Sequence, residues 1–218
     1  MKQLLIILFG CSLSIATLHA QTMKELFVSM PDTLSLILTP VNRADCIDFL
    51  ASGMRAQVTN RFNKTSEVTA LTDNYLRAQV TESSVWEMRS LPVKDSVSVI
   101  CLIKTVKAPV EDSHIMFYTQ DWQPLPLHDF LPTLPTADDF FRTDLNLTQA
   151  QTDSLNELRK QTYITFIKAN LSATDNTLSF TYTTPEYMNR EDREKIKAYL
   201  RKTPLTYIWK DKHFIRKD

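Results

Sequence analysis

The stretch Val97-Ser98-Val99-Ile100-Cys101-Leu102-Ile103 decides the fold. Successive side chains of a β-strand point to opposite faces of its sheet. Apolar residues occupy both the odd and the even positions of this stretch, so a strand formed here must bury both of its faces. We therefore predict that it is the most central strand of the sheet to which it belongs.

Around this strand, apolar and polar residues alternate from about residue 67 to residue 120. Leu76, Ala78 and Val80 show the period of two, and Thr, Asn, Asp and Pro residues interrupt it at intervals. Short strands separated by such breaks are typical of an antiparallel meander. The predicted strands lie at 76–80, 85–91, 97–106 and 115–118.

A helical segment is predicted before the meander, over residues 22–54. Asn42 is the expected N-cap of its long helix, because Asp45 follows in the first turn. Gly53 stands where that helix is expected to end. The helix then covers one face of the meander, and together the two parts make up residues 21–123.

Prolines interrupt the chain after the meander and predict a linker over residues 124–141. Beyond it, Thr148 and Gln151 form a capping-box pattern for a helix that ends near Lys160. A hairpin at 163–168 and 178–183, a helix capped by Asn189 and a final strand at 205–209 follow. Residues 142–218 thus form a second small unit, and the predicted fold class is α+β.

Composition excludes several classes of protein. The chain of 218 residues has two glycines, Gly10 and Gly53, whereas phosphate-binding loops, dinucleotide fingerprints and the nucleophile elbow each need several. Basic and acidic residues number 25 each, which argues against a nucleic-acid binder. With 43% hydrophobic and 23% charged residues, the chain is expected to fold as a globular protein.

The first 20 residues have the pattern of a secretory signal. Lys2 precedes an apolar run that is too short for a membrane span, and Ala20 is a suitable small residue before a cleavage site. A lipoprotein signal that leaves Cys11 acylated is the alternative. We expect the first route and a periplasmic or secreted protein that is not integral to a membrane.

Two stretches carry a family resemblance, Val41-Asn42-Arg43-Ala44-Asp45-Cys46-Ile47-Asp48-Phe49-Leu50 and Asp112-Ser113-His114-Ile115-Met116-Phe117-Tyr118-Thr119-Gln120-Asp121-Trp122. With the leader and the meander, they resemble the Bacteroidales family catalogued as domain of unknown function 3256. The resemblance implies a Gram-negative envelope or secreted setting. It carries no activity over to any residue.

No motif assigns a chemistry. His114, His128 and His213 lack the close ligand spacing of a zinc site, so neither a metal nor a cofactor is predicted. Asp112-Ser113-His114 holds the residue types of a hydrolytic triad, yet neighbours in one strand alternate faces and cannot form the relay among themselves. A hydrolase with a non-contiguous site at His114 or His128 is the alternative function.

The function predicted first is a non-enzymatic binding or envelope-accessory module for an unidentified protein, peptide or glycan. Trp122 and Trp209 stand near strand ends, where exposed rings can form a ligand platform. The competing interpretation is that both rings close the ends of the core. A deep pocket with a histidine bonded to a carboxylate would favour the enzyme.

Cys46 and Cys101 are the cysteines that follow the leader. An oxidising compartment permits a disulfide between them, but their Cα atoms must then approach to roughly 7 Å, closer than a helix usually packs on a sheet. We therefore expect two buried free thiols, with the disulfide as the alternative.

Protein purified from its native host tests the export and modification predictions together by peptide mass spectrometry. The first peptide is expected to begin at Gln21. The family context also implies O-glycosylation at Asp-Ser/Thr-aliphatic patterns, of which Asp32-Thr33-Leu34 is the most accessible and Thr33 the expected acceptor. Asp95-Ser96-Val97 and Asp153-Ser154-Leu155 match the same pattern. An acylated Cys11 at the N-terminus, or unmodified peptides across all three sites, would contradict the respective prediction.

Overall fold

A computed structural model describes residues 21–94 and 97–217. The leader, with Cys11, and Ser96 lie outside the described residues. The helices are α1 (Met23–Ser29), α2 (Pro40–Ala51), α3 (Leu127–Phe130), α4 (Gln149–Lys160) and α5 (Arg190–Lys197), with 3-10 helices at Ala137–Phe140 and Thr184–Tyr187. The strands are β1 (Gln57–Thr59), β2 (Thr65–Leu71), β3 (Tyr75–Thr81), β4 (Ser84–Lys94), β5 (Val97–Lys107), β6 (Glu111–Tyr118), β7 (Pro124–Leu125), β8 (Ile167–Leu171), β9 (Thr177–Tyr182), β10 (Leu205–Lys210) and β11 (His213–Lys217). No helix within these residues is long and apolar enough to cross a membrane.

The strands form two antiparallel sheets. The large sheet has seven strands in sequence order from β1 to β7, and the small sheet has four in the order β11-β10-β9-β8. The predicted α+β class, with a meander and a second smaller unit, is confirmed.

Strand β5 is buried on both faces, as its sequence requires. Val99, Cys101 and Ile103 join the core between the two sheets. Ile100 and Leu102 join a second core, beneath α1 and α2. The prediction that β5 is the most central strand was wrong by one position, because β4 is the middle strand of the seven. The two cores nevertheless make the large sheet a layer that is covered on both sides.

The N-terminal segment contains two helices, and the expected N-cap was misplaced. Thr39 is the N-cap of α2, and Asn42 is the third helical residue. The Asn42 side chain accepts the Thr39 N–H at 3.1 Å, and the Thr39 hydroxyl accepts the Asn42 N–H at 3.0 Å. This reciprocal pair and Pro40 at the first helical position start the helix earlier than the sequence pattern suggested.

The second unit has the two helices predicted for it. Thr148 and Gln151 form the capping box of α4, and Asn189 caps α5. The last strand, however, is β11, and the prediction that the chain ends with the strand at 205–209 was wrong. Asp211 and Lys212 both have positive φ, at 50° and 70°, which allows a tight hairpin turn without glycine.

The segment predicted as a linker contains β7, α3 and a 3-10 helix. It also contributes buried residues, Leu131, Phe140 and Phe141, to the core between the sheets. Ring stacking strengthens this packing, since the Phe140 and Tyr182 centroids are 5.4 Å apart. The domain boundaries stay a prediction, whereas the apolar core is continuous from the large sheet to the small one.

Buried charged groups join the two sheets. Glu87 of β4 accepts the Tyr75 hydroxyl at 2.7 Å and the backbone N–H of Leu171, in β8, at 3.3 Å. Arg89 donates to the Ser172 carbonyl at 2.6 Å and to Asn176 at 2.7 Å. Burial lowers the pKa of Arg89. These partners compensate for the loss of water around each side chain.

The expectation of two buried free thiols is confirmed, because Cys46 and Cys101 are both buried and neither is in a disulfide. Cys46 lies in the core beneath the helices and Cys101 in the core between the sheets. The alternation of side chains along β5 thus places Cys101 on the face of the large sheet that points away from α2.

Thiol titration checks this arrangement in protein that begins at Gln21. Two thiols should titrate after denaturation without reductant, since the sheet separates the sulfur atoms. The native protein should react slowly at pH 8, because burial raises the pKa of Cys46 to about 11 and raises that of Cys101 as well. A denatured protein with no titratable thiol would contradict the structure.

Candidate functional site

A groove of about 320 Å³ opens along the edge of β6. Most of its lining is apolar, and the polar lining comes mainly from one strand. Its apolar residues are Ile115, Leu127, Leu134, Pro135, Ile167 and Phe180, and its polar residues are Asp112, Ser113, His114 and Thr165. We call this cavity the β6 groove. Its volume lies at the lower end of the range of small-molecule sites.

The groove exists because β7 is short. On one side, every residue of β6 is paired with β5, but on the other side β7 pairs only with Phe117 and Tyr118. Pro126 follows β7 and is the N-cap of α3, so the chain leaves the edge of the sheet there. Within the described residues, no strand pairs with the remaining part of this edge of β6.

β8 crosses the face of the large sheet, and its first residue, Ile167, lines the groove. The Ile167 N–H donates to Asp112 Oδ1 at 3.0 Å, and the Ala169 N–H donates to Ser113 Oγ at 2.9 Å. These N–H groups lie on the edge of β8 that has no neighbouring strand. Side chains of β6 therefore satisfy the edge of β8, and they hold the two strands together at one end of the groove.

Asp112, Ser113 and His114 do not form a catalytic relay. Ser113 Oγ is 2.8 Å from Thr105 Oγ1 and accepts the Ala169 N–H, which leaves it engaged in structural bonds. His114 is exposed, and its ring forms no hydrogen bond with any described residue. The arrangement lacks the bond between nucleophile and base that the chemistry needs.

The other histidines lie on the surface. His128 pairs with Asp129 at 3.0 Å, but its side chain is 80% exposed. His213 lies 3.0 Å from the backbone oxygen of Asp211. In the part of the chain described, no group of three His, Cys, Asp or Glu residues is placed to hold a metal ion. The histidine that lines the β6 groove, His114, is thus a different residue from His128, which contacts a carboxylate.

The two tryptophans pack against the protein. Trp122 is buried, contacts Tyr118 at 5.5 Å between ring centroids and donates its indole N–H to Ser29. Trp209 is half-buried and donates its indole N–H to the Pro92 carbonyl at 2.8 Å. Trp122 therefore closes one end of a core, and its ring is not available for a ligand platform.

Exposed apolar residues that the sequence reading missed flank the groove. Leu134 is 48% exposed and lines it. Tyr163 and Ile164 are 80% and 43% exposed and directly precede Thr165 of the lining. The apolar pattern predicts a strand at 163–168, but β8 begins only at Ile167. For Leu134 the available signal was Pro135 directly after it and Pro132 two positions before it, since prolines disfavour a paired strand at this place.

The predicted acceptor Thr33 is exposed in a turn after Pro31. Its neighbour Asp32 lies 3.5 Å from Arg43 and 3.4 Å from Arg61, so this carboxylate also has a structural role. Ser154 is exposed on α4.

We predict that Ser113→Ala lowers the free energy of unfolding by about 1–3 kcal/mol, because it leaves the Ala169 N–H without its acceptor. Urea denaturation measures the effect. Ser154→Ala, on an exposed helix face, is the matched control and should change stability by no more than about 0.5 kcal/mol. Equal stability of Ser113→Ala and the parent protein would show that this hydroxyl does not hold β8.

Comparison with known proteins identifies the family of this chain. The domain structure of an uncharacterized protein from Porphyromonas gingivalis W83 is similar, with a TM-score of 0.75 and 30% sequence identity, over 89% of this chain and 96% of that one. No protein with a curated description matches. The model of the family described as "Protein of unknown function (DUF3256)" matches residues 15–214. The chain therefore belongs to the DUF3256 family.

Proposed function

We propose that this is an exported, non-enzymatic binding protein whose β6 groove holds an apolar stretch of another polypeptide. The observation that carries the proposal is the lining of the groove. Six of its residues are apolar, and Leu134 remains 48% exposed at its wall. Apolar surface left open in a concave site is characteristic of a binding surface.

A polypeptide suits this lining better than a glycan does. Sugar rings pack on exposed aromatic faces, but the aromatic residue of the groove lining, Phe180, is buried, and neither Trp122 nor Trp209 lines the groove. The groove presents mainly aliphatic side chains, among them Ile115, Leu127 and Leu134. These side chains favour ligands that carry aliphatic or aromatic residues.

Binding is also favoured over hydrolysis, the alternative function. The polar side chains best placed to act in the groove, Asp112 and Ser113, are bonded to the backbone of β8. An acid–base mechanism needs a base in contact with the group that it activates. His114 lines the groove without such a contact among the described residues.

Export is part of the proposal. The leader over residues 1–20 supports a periplasmic or secreted location, with acylation at Cys11 as the alternative. The similar structure comes from Porphyromonas gingivalis, which supports a Bacteroidales setting. The equal numbers of acidic and basic residues support a partner other than nucleic acid.

Selection from a display library of random dodecapeptides, on immobilised protein that begins at Gln21, tests the proposal. We expect binders rich in apolar residues. Leu134→Glu should weaken their binding by about tenfold or more, since it places a charge in the apolar wall. Isothermal titration with the tightest synthetic peptide measures the effect.

Leu36→Glu is the matched control. Leu36 is 66% exposed in the segment between α1 and α2, and this substitution should leave the affinity unchanged. If no peptide is selected, or if both variants bind as well as the parent protein, the β6 groove is not a polypeptide-binding site.

A further inference from the structure

We propose that the bound polypeptide adds to the large sheet as a further β-strand, paired through its backbone with Ser113 and Ile115 of β6. This inference rests on the proposed function and specifies its binding mode. The partner is an extended segment with apolar side chains. It is recognised by main-chain hydrogen bonds together with the apolar walls of the β6 groove.

The register of the large sheet identifies the backbone groups that face the groove. In an antiparallel sheet, the N–H and C=O groups of successive residues point to opposite edges of a strand. The Thr119 N–H donates to Gln123 across the β7 side, at 2.9 Å, and the Glu111 carbonyl accepts the Thr183 hydroxyl. Odd-numbered residues of β6 therefore point away from β5.

The pairing of β5 with β4 and β6 leads to the same conclusion about which residues of β6 face the open edge. The Lys107 N–H of β5 donates to Ser83, toward β4, so the even-numbered residues of β5 face β6. Those residues oppose even-numbered residues of β6, as in the pairs of Lys104 with His114 and Leu102 with Met116. Ser113 and Ile115 consequently direct two N–H and two C=O groups to the open edge.

No described residue supplies a hydrogen bond to these four groups. The shape of the groove agrees with their position, because the consecutive residues from Asp112 to Ile115 all line it. Side chains alternate between the two faces of a strand, so consecutive residues can line one cavity only along the edge that they share. The groove is thus the space beside unpaired backbone.

The vacant space continues the line of β7. Leu125 pairs with Phe117, and a strand extended in that direction would next pass Ile115 and Ser113. The chain instead turns away at Pro126. An added strand in this place would lie about 4.8 Å from β6, in the groove that Leu134, Pro135 and Thr165 also line.

The walls favour a flexible segment over a second copy of this chain. Two edges must approach to about 4.8 Å to pair. In each copy, the edge lies in a groove that is also lined by Leu134, Pro135 and Thr165. Pairing between two copies would have to accommodate both linings within this spacing, whereas an extended peptide has to accommodate only one.

N-methylation of the tightest dodecapeptide from the selection described above tests the binding mode. A single N-methyl group at positions whose N–H faces β6 should weaken binding by about tenfold or more, because it removes a donor and adds a clash. The same group at the intervening positions is the internal control and should have little effect. The affinity should therefore alternate with a period of two along the peptide.

Amide hydrogen exchange locates the contact on the protein. The N–H groups of Ser113 and Ile115 should exchange rapidly in the free protein and about tenfold more slowly with saturating peptide. Those of His114 and Met116, which face β5, are the controls and should change little.

The outcomes separate this inference from the proposed function. In one outcome, Leu134→Glu abolishes peptide binding, but the affinity does not alternate along the N-methylated peptides and the Ser113 and Ile115 amides stay unprotected. That outcome would support the binding site and overturn strand addition. If no peptide is selected, both are overturned. A dimer in sedimentation equilibrium, with both amides already protected, would assign the edge to a second copy and overturn the inference.

Discussion

Burial of β5 on both faces is the constraint on which the rest of the structure depends. Val99, Cys101 and Ile103 need one apolar layer, and Ile100 and Leu102 need another. The helices α1 and α2 supply the second layer and the small sheet supplies the first. At about 25 cal/mol for each Å² of apolar surface buried, neither face can remain open to water without a large cost. The small sheet therefore covers a face that the meander needs to bury.

Packing of the small sheet on the large one also requires hydrogen-bond acceptors for β8. The outer N–H groups of β8 lie against the large sheet, where water cannot serve all of them, so they need acceptors from that sheet. Asp112, Ser113 and Glu87 provide these acceptors, at Ile167, Ala169 and Leu171 in turn. A tripeptide with the composition of a catalytic triad thus contributes two of the three side chains that position β8.

Periodicity and capping patterns predicted much of the fold, because they depend on local sequence. The two-sided apolar run of β5, the four strands predicted for the meander, and the caps Thr148 and Asn189 agree with the structure, whereas β1, β2 and β7 were not predicted. Predictions that required knowledge of distant contacts were less complete. β11 follows a turn that Asp211 and Lys212 make with positive φ, and such a turn carries no glycine signal.

The candidate site was the least predictable part for the same reason. Its lining comes from β6, from the segment around Leu134 and from the start of β8, which lie far apart in sequence. What creates it is the end of β7 at Leu125, where the sequence predicted only irregular structure. The four consecutive lining residues of β6 become informative only when the pairing of β5, β6 and β7 is known.

An unpaired strand edge normally promotes aggregation, and proteins usually protect it. Other edges of this fold follow that rule. β1 has three residues and its Thr59 carbonyl accepts the side chain of Asn42, from α2. β11 carries the charged residues Arg216 and Lys217. The open part of β6 lies instead within the β6 groove, whose lining also includes Leu134, Pro135 and Thr165. In the binding mode proposed above, this lining limits the approach of another folded sheet and leaves space for a single extended chain, which is the difference between a binding edge and an aggregation-prone one.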